Sequence, residues 1–246
     1  MLGTLSQVDF YVEYNEGSQD LWALCNFVSR DKIPVNIPWC RSQMQLRFET
    51  SLSGEAYVAT QGWRMARLPS CPLHPQGGCS FSRHGTYSRV TPTGTRIPRW
   101  YCPKGHRTFS LLPDCLASRL PGTLVALERV VLHAEHASSV EAAANTLRPD
   151  DISLPSAARW IRLRTYLVRG ALVGALQAAP VLFRDCQPSL TSFQGRLRGT
   201  GVLMALRTTL AVYLPRLPAP LGFAPRSPHL KRIQHNSGAD PPRDWY

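Results

Sequence analysis

The 246-residue chain has only 3 lysines, no glutamate after Glu141, and no acidic residue between Glu55 and Asp114. Each shortage excludes something. A two-metal nuclease centre needs several converging carboxylates, and beyond Glu141 only Asp150, Asp151, Asp185, Asp240 and Asp244 remain, two of them adjacent and two near the end. Long apolar runs are missing as well: the most apolar stretch, residues 170–183, is closed off by Arg169 and Arg184, short of the roughly 20 residues that a membrane span requires. The opening MLGTLSQVDFYVEYNEG has neither a basic stretch nor a continuous apolar run, so no secretion signal is expected. There is no phosphate-binding Gly-x-x-x-x-Gly-Lys, no Gly-x-Gly-x-x-Gly, no Gly-x-Ser-x-Gly and no His-Glu-x-x-His. The expectation is a cytoplasmic chain without a membrane segment and without enzymatic chemistry of its own.

What is present is positive charge, unevenly placed. Basic residues number 28 against 16 acidic, a formal charge of +12 at pH 7. Residues 1–62 hold 4 basic and 7 acidic side chains, so the cationic excess lies after Gln61. Such an excess favours polyanionic partners. The 7 cysteines are odd in number, which fits metal ligands and free thiols in a reducing compartment better than a disulfide framework.

The pattern along the chain predicts an α+β protein. Residues 1–62 read as a small acidic α+β cap, with strand-like alternation at 8–12 and 44–48 and an apolar helical candidate at 21–28. Residues 63–113 are rich in Pro, Gly, Ser and Arg and bury too little to fold unaided; this segment reads as a zinc-ribbon β-hairpin module, with its turn near Gly94. Helical spacing begins after Pro121, where Leu124, Leu127, Val131 and Ala134 recur at three and four residues. A second helix is predicted behind Ser138 as N-cap, with Glu141 completing a capping box. A third starts after Ser153 with Pro155 in its first turn, and two more are predicted at about 171–183 and 195–214. The helical part thus spans 114–214, with a helix-turn-helix-like segment at about 123–169, and residues 215–246 read as a mobile proline-rich tail.

Five side chains in the middle segment are of metal-ligand type: Cys71, His74, Cys79, Cys102 and His106. Cys71-Pro-Leu-His74 and Cys102-Pro-Lys-Gly-His106 form two short knuckles, and Cys79 competes for the fourth place. Zinc takes four such ligands in a tetrahedron, so four of the five are expected to bind it. Spacing favours His74 and thiolate affinity favours Cys79. With no acidic residue nearby to act as a base, a structural rather than a catalytic Zn2+ is expected.

On a helical wheel Leu154, Ala157, Ile161 and Val168 share one side of the third helix, while Arg159, Arg162 and Arg169 lie on another. A cationic helix behind a short capped one is the arrangement that enters the major groove of DNA. The spacer from Arg148 to Ser153 is longer than the usual turn. Arg83, Arg89, Arg99 and Arg107 are further candidates for phosphate contact, and the Trp100-Tyr101 pair for base stacking. His133 and His136, spaced i and i+3, suit either a metal or a solvated helix face.

The run CPLHPQGGCSFSRHGTYSR, followed by RWYCPKGHRTFSLLPD, resembles the zinc-ribbon segment near the N-terminus of bacterial insertion-sequence transposases and related uncharacterised bacterial proteins. The likeness rests on Cys71, Arg83-His84-Gly85, Tyr101-Cys102 and Arg107-Thr108-Phe109, and covers about residues 70–169. Histidines replace two of the cysteines that the family pattern expects. The resemblance implies a zinc ribbon followed by a helix-turn-helix, double-stranded DNA as partner, association with mobile DNA, and catalysis supplied, if at all, by another protein. Two other classes remain open: a zinc-stabilised protein-interaction adaptor, and a single-stranded RNA binder.

Overall fold

The structure is a computed structural model that describes residues 44–197 and 201–224. The strand expected at 8–12, the helix at 21–28 and the segment from 225 onward lie outside the described residues. The described chain is α+β: a four-stranded mixed sheet followed by five helices.

The sheet consists of β1 (Met44–Phe48), β2 (Ser82–Ser88), β3 (Arg96–Cys102) and β4 (Arg107–Pro113), in the order β1-β4-β3-β2. β1 runs parallel to β4, from Met44 opposite Phe109 to Phe48 opposite Pro113, and the other two pairings are antiparallel. The domain boundary expected at residue 62 therefore cuts through one sheet. Strand alternation locates β1 but cannot reveal its partner, because parallel pairing joins segments distant in sequence. β2 and β3 form a hairpin whose turn is held by Arg89 N–H donating to the Thr95 carbonyl (2.9 Å) and Thr95 N–H to the Pro92 carbonyl (3.1 Å). Pro98 in β3 has no N–H to give, and it is tolerated beside the irregular stretch of the edge strand β2 between Arg83 and Thr86.

Alternation divides the sheet into two faces. Trp100, Cys102, Phe109 and Leu111 pack on one, together with Met44, Leu46 and Phe48 of β1. Ile97 and Leu112 lie on the other, under Tyr57 of a short helix α1 (Gly54–Ala59) and beside Cys115 and Leu116.

The helical half starts with α2 (Leu124–His136), whose N-cap Thr123 accepts the Ala126 N–H at 3.0 Å. α3 (Val140–Leu147) is capped by Ser139, not Ser138, and Ser139 accepts from the Ala142 N–H. The N-cap is thereby displaced by one position, Ala142 now stands where a capping box needs Glu or Gln, and Glu141 pairs across to Arg162. α4 (Leu154–Ala178) is a single 25-residue helix where two were expected. Gly170 and Gly174 do not interrupt it, and Leu217 and Pro218 pack directly over Gly174, where a Cβ would stand 3.0 Å from Pro218 Cδ. The stretch expected as one helix at 195–214 is instead α5 (Leu190–Leu197) and α6 (Val202–Thr209).

Two glutamates of α2 account for where α5 and α6 begin. Glu135 accepts from the Leu190 and Thr191 N–H groups, and the buried Glu128 from those of Gly201, Val202 and Leu203, each at 2.8–3.0 Å. Carboxylates thus satisfy first-turn N–H groups and meet the positive ends of both helices. The main apolar core joins α2, the second half of α4, α5 and α6 to Leu214, Leu217 and Leu221. The tail expected from 215 is therefore corrected: residues 215–224 are packed, because their leucines fill the helical core between the prolines.

Candidate metal centre

The loop from Cys71 to Cys79 folds on itself twice. The His74 N–H donates to the Cys71 carbonyl (3.1 Å) and the Gly77 N–H to the His74 carbonyl (2.9 Å). Gly77 and Gly78 then take φ of 85° and 75° with nothing near a would-be Cβ; the need there is backbone conformation, which glycine supplies at little steric cost. This double turn returns Cys79 to the side of Cys71. Across from the loop, Cys102 ends β3.

Cys71, His74, Cys79 and Cys102 converge so that their ligand atoms all lie within 4.8 Å of one another. His74 Nδ1 is 3.6 Å from Cys71 Sγ and 3.3 Å from Cys102 Sγ. A tetrahedral ion with M–S near 2.3 Å and M–N near 2.0–2.1 Å separates sulfur from nitrogen by about 3.6 Å, so these four residues could hold one metal ion. The three cysteines are buried, Cys102 completely, and His74 is half-buried.

Surrounding groups fit that purpose. The Gly105 N–H donates to Cys102 Sγ (3.3 Å), a bond that favours thiolate over thiol. A Cβ on Gly105 would sit 2.7 Å from Leu73 Cδ1, so a side chain there would require the Leu73 side chain to move. Phe81 meets Phe109 edge-on at 5.8 Å, and with Trp100, Leu73 and Ala66 they wall the cluster from water. Burial pushes the Cys102 thiol up to about 11; the Gly105 N–H acts against this, and the Cys71 and Cys79 thiols add to it. A buried cluster of thiols cannot ionise together without a cation, and a bound metal would supply that charge.

Of the five candidates the structure brings four together, both His74 and Cys79 among them, and leaves His106 outside the group. In the first knuckle the second ligand stands three residues after the cysteine. In the second that place is Gly105, and His106, one step further with φ 47°, turns outward to an exposed position 3.4 Å from the Tyr101 hydroxyl. Among the described residues this is the one grouping of three or more Cys, His, Asp or Glu side chains able to hold a metal. His133 and His136 form no such group; His136 Nδ1 bonds the Leu132 carbonyl at 2.8 Å.

The arginines named from sequence have divergent fates. Arg89 is turned inward to the Ala117 (3.0 Å) and Leu120 carbonyls, and burial lowers its pKa. It braces the fold and leaves the set of candidate phosphate contacts. Arg83 donates to the Trp63 carbonyl (2.7 Å) and lies over the Trp100 ring, while Arg99 lies over Tyr87. Arg107, at the start of β4 opposite Cys102, is half-buried. Arg159, Arg162 and Arg169 are exposed on α4, Arg162 being paired with Glu141. Trp100 and Tyr101 do not act as a pair: adjacent in β3, they face opposite sides of the sheet, and Trp100 fills the shell of the metal cluster.

Sequence reasoning missed Arg207, which is fully buried and donates to the carbonyls of Asp114, Leu116, Pro220 and Leu221. It also missed the two-bond pairing of Arg47 with Asp114, at 2.9 and 2.8 Å, which ties β1 to the end of β4. Neither has a local signal, because each partner comes from elsewhere in the chain. No protein-family model, curated protein or solved structure matches the chain, so the resemblance to insertion-sequence transposases stands on its motif residues alone.

Proposed function

We propose that this chain is a DNA-binding protein whose sheet is stapled by a structural zinc ion and whose helix α4 meets the duplex. The observation that carries the reading is a closed Cys3His cluster set in a segment, residues 56–113, with eight basic and no acidic residues. Soft and borderline donors of this kind suit zinc rather than magnesium or calcium. Four protein ligands, three of them buried, leave no open position, as in structural sites.

For the duplex, α4 offers Arg159 and Arg169 exposed on its outer face, with Arg162 shared with Glu141. The long connection from α3 to α4 is held in place by Arg148, which donates to the Ile152 carbonyl (2.8 Å) and to Asn145 Oδ1. A braced connection fits a widened helix-turn-helix. The link to mobile DNA, and to a partner supplying catalysis, is carried by the sequence resemblance alone.

The test combines elemental analysis with duplex-DNA binding at two salt concentrations. One zinc per chain and affinity falling steeply with salt are expected. Replacing Arg159 and Arg162 together by Ala should weaken duplex binding by ~2 kcal/mol with the helical signal unchanged; full affinity in that variant removes α4 from the interface.

One observation favours a second reading, a protein-interaction adaptor: Leu163, Tyr166 and Val173 are also exposed on α4, at 49%, 65% and 38%. Salt-insensitive capture of a protein, with no DNA binding, would select it.

A further inference from the structure

The sheet face turned away from the metal cluster carries a second, distinct constellation. Along β3, Tyr101 lies on this face with Arg99 and Ile97. The ring of His84, from the irregular part of β2, sits 5.6 Å from that of Tyr101, and His106, from the β3–β4 turn, reaches the Tyr101 hydroxyl. His84 and His106 are exposed and Tyr101 is half-buried. Three flat rings from three points of the chain thus gather at one end of the sheet without joining an apolar core.

Beside the rings runs a polar row in direct cross-strand register: Arg99 of β3 opposite Ser110 of β4, and Ser110 opposite Gln45 of β1. Each holds a buried polar atom with no hydrogen-bond partner, namely Arg99 Nε, Ser110 Oγ and Gln45 Oε1. Ser110 is fully buried. Ser110 Oγ and Gln45 Oε1 are closed off from the surface, whereas Arg99 is half-buried, so its guanidinium, with Nε unpaired, is the group of this row able to turn to a polar ligand. The charge of that ligand follows from the surroundings: Arg99 lies on this face and the exposed Lys104 in the β3–β4 turn next to His106, while the Asp114 and Glu49 carboxylates on the same side of the sheet are paired with Arg47.

A ligand that is flat, polar at its edge and anionic at its backbone is an unpaired nucleotide. We propose that this face binds single-stranded DNA, with a base stacked against Tyr101 and His84 and its phosphate held by Arg99. A paired base cannot offer its face in this way, whereas sheet-borne aromatic platforms take unpaired strands. The inference rests on the reading of the chain as a nucleic-acid binder, but it assigns a surface separate from α4 and a separate form of the polymer.

The test is fluorescence anisotropy on the full metal-loaded chain with labelled oligo-dT of about 15 nucleotides, an abasic strand of equal length, oligo-U and a duplex. Wild type should prefer oligo-dT to the abasic strand and to oligo-U. Tyr101→Ala should weaken oligo-dT binding about 5- to 150-fold, the range that loss of one stacked base produces; Tyr101→Phe should restore it, and His84→Ala should weaken it less. Duplex affinity should not change in these variants. Because Tyr101 adjoins Cys102, metal content is measured for each; if Tyr101→Ala loses metal, His84→Ala and the abasic strand decide. Equal binding of the abasic strand, tighter binding of oligo-U, or wild-type affinity in His84→Ala and a metal-loaded Tyr101→Ala overturns the proposal. Loss of duplex binding in wild type with oligo-dT binding retained would remove the role of α4 and leave this one standing.

Discussion

At the scale of single residues, two histidines test the geometry of the centre against the spacing of the sequence. His74 Nδ1 faces two sulfurs, while His106 stands outside the cluster at the end of an otherwise similar knuckle. His74→Ala should therefore reduce zinc content well below one per chain, and His106→Ala should leave it at one, measured by elemental analysis after dialysis. A His106→Ala variant that loses its metal would mean that the second knuckle contributes both its candidate ligands. That four of these five side chains converge was legible in the sequence, because soft donors in a segment that buries little call for a staple. Which four was not, because the place three residues after Cys102, which His74 fills after Cys71, falls on Gly105, and His106 takes a positive φ of 47° and an exposed position.

At the scale of elements, helical character after Pro121 was readable, but its division into α4, α5 and α6 was not. Thr123 and Ser139 mark the starts of α2 and α3 with their own side chains, and such caps leave a sequence signal even when the cap is displaced by one residue. α5 and α6 begin where a glutamate of a different helix reaches them, and no local pattern discloses that. Glu128 is the more telling of the two, since its buried carboxylate takes three N–H groups at 3.0 Å. Removing its charge leaves buried donors poorly paired, and hydrogen bonds to charged groups are each worth ~1.5–3 kcal/mol. Glu128→Gln should thus lower unfolding free energy by roughly 2 kcal/mol in urea titration, whereas Glu135→Gln, on a half-buried carboxylate, should cost less. Equal small losses in both variants would mean that water can replace Glu128 at the start of α6.

At the scale of the whole molecule, the fold decides how far loss of a metal bound at the Cys3His cluster would propagate. The expected cap, ribbon and helical half are not separate bodies in the described residues: β1 pairs with β4, Arg47 binds Asp114, and Arg207 of α6 holds the carbonyls that follow β4. These links act on the Tyr57–Leu112 side of the sheet, while the metal cluster lies on the Trp100–Phe109 side. Chelation should therefore expose 71–106 to limited proteolysis while α2, α4 and α6 stay protected, since their shared core contains no residue of the cluster. The effect should depend on pH in a fixed direction. Without metal, burial first of all holds the Cys102 thiol protonated up to about 11, so binding must displace protons throughout the neutral range, and affinity falls as pH falls. A chelator should accordingly strip the metal more completely at about pH 6 than at about pH 8. Simultaneous cleavage in the helices would show that the metal, through β4 and Arg207, supports the entire fold.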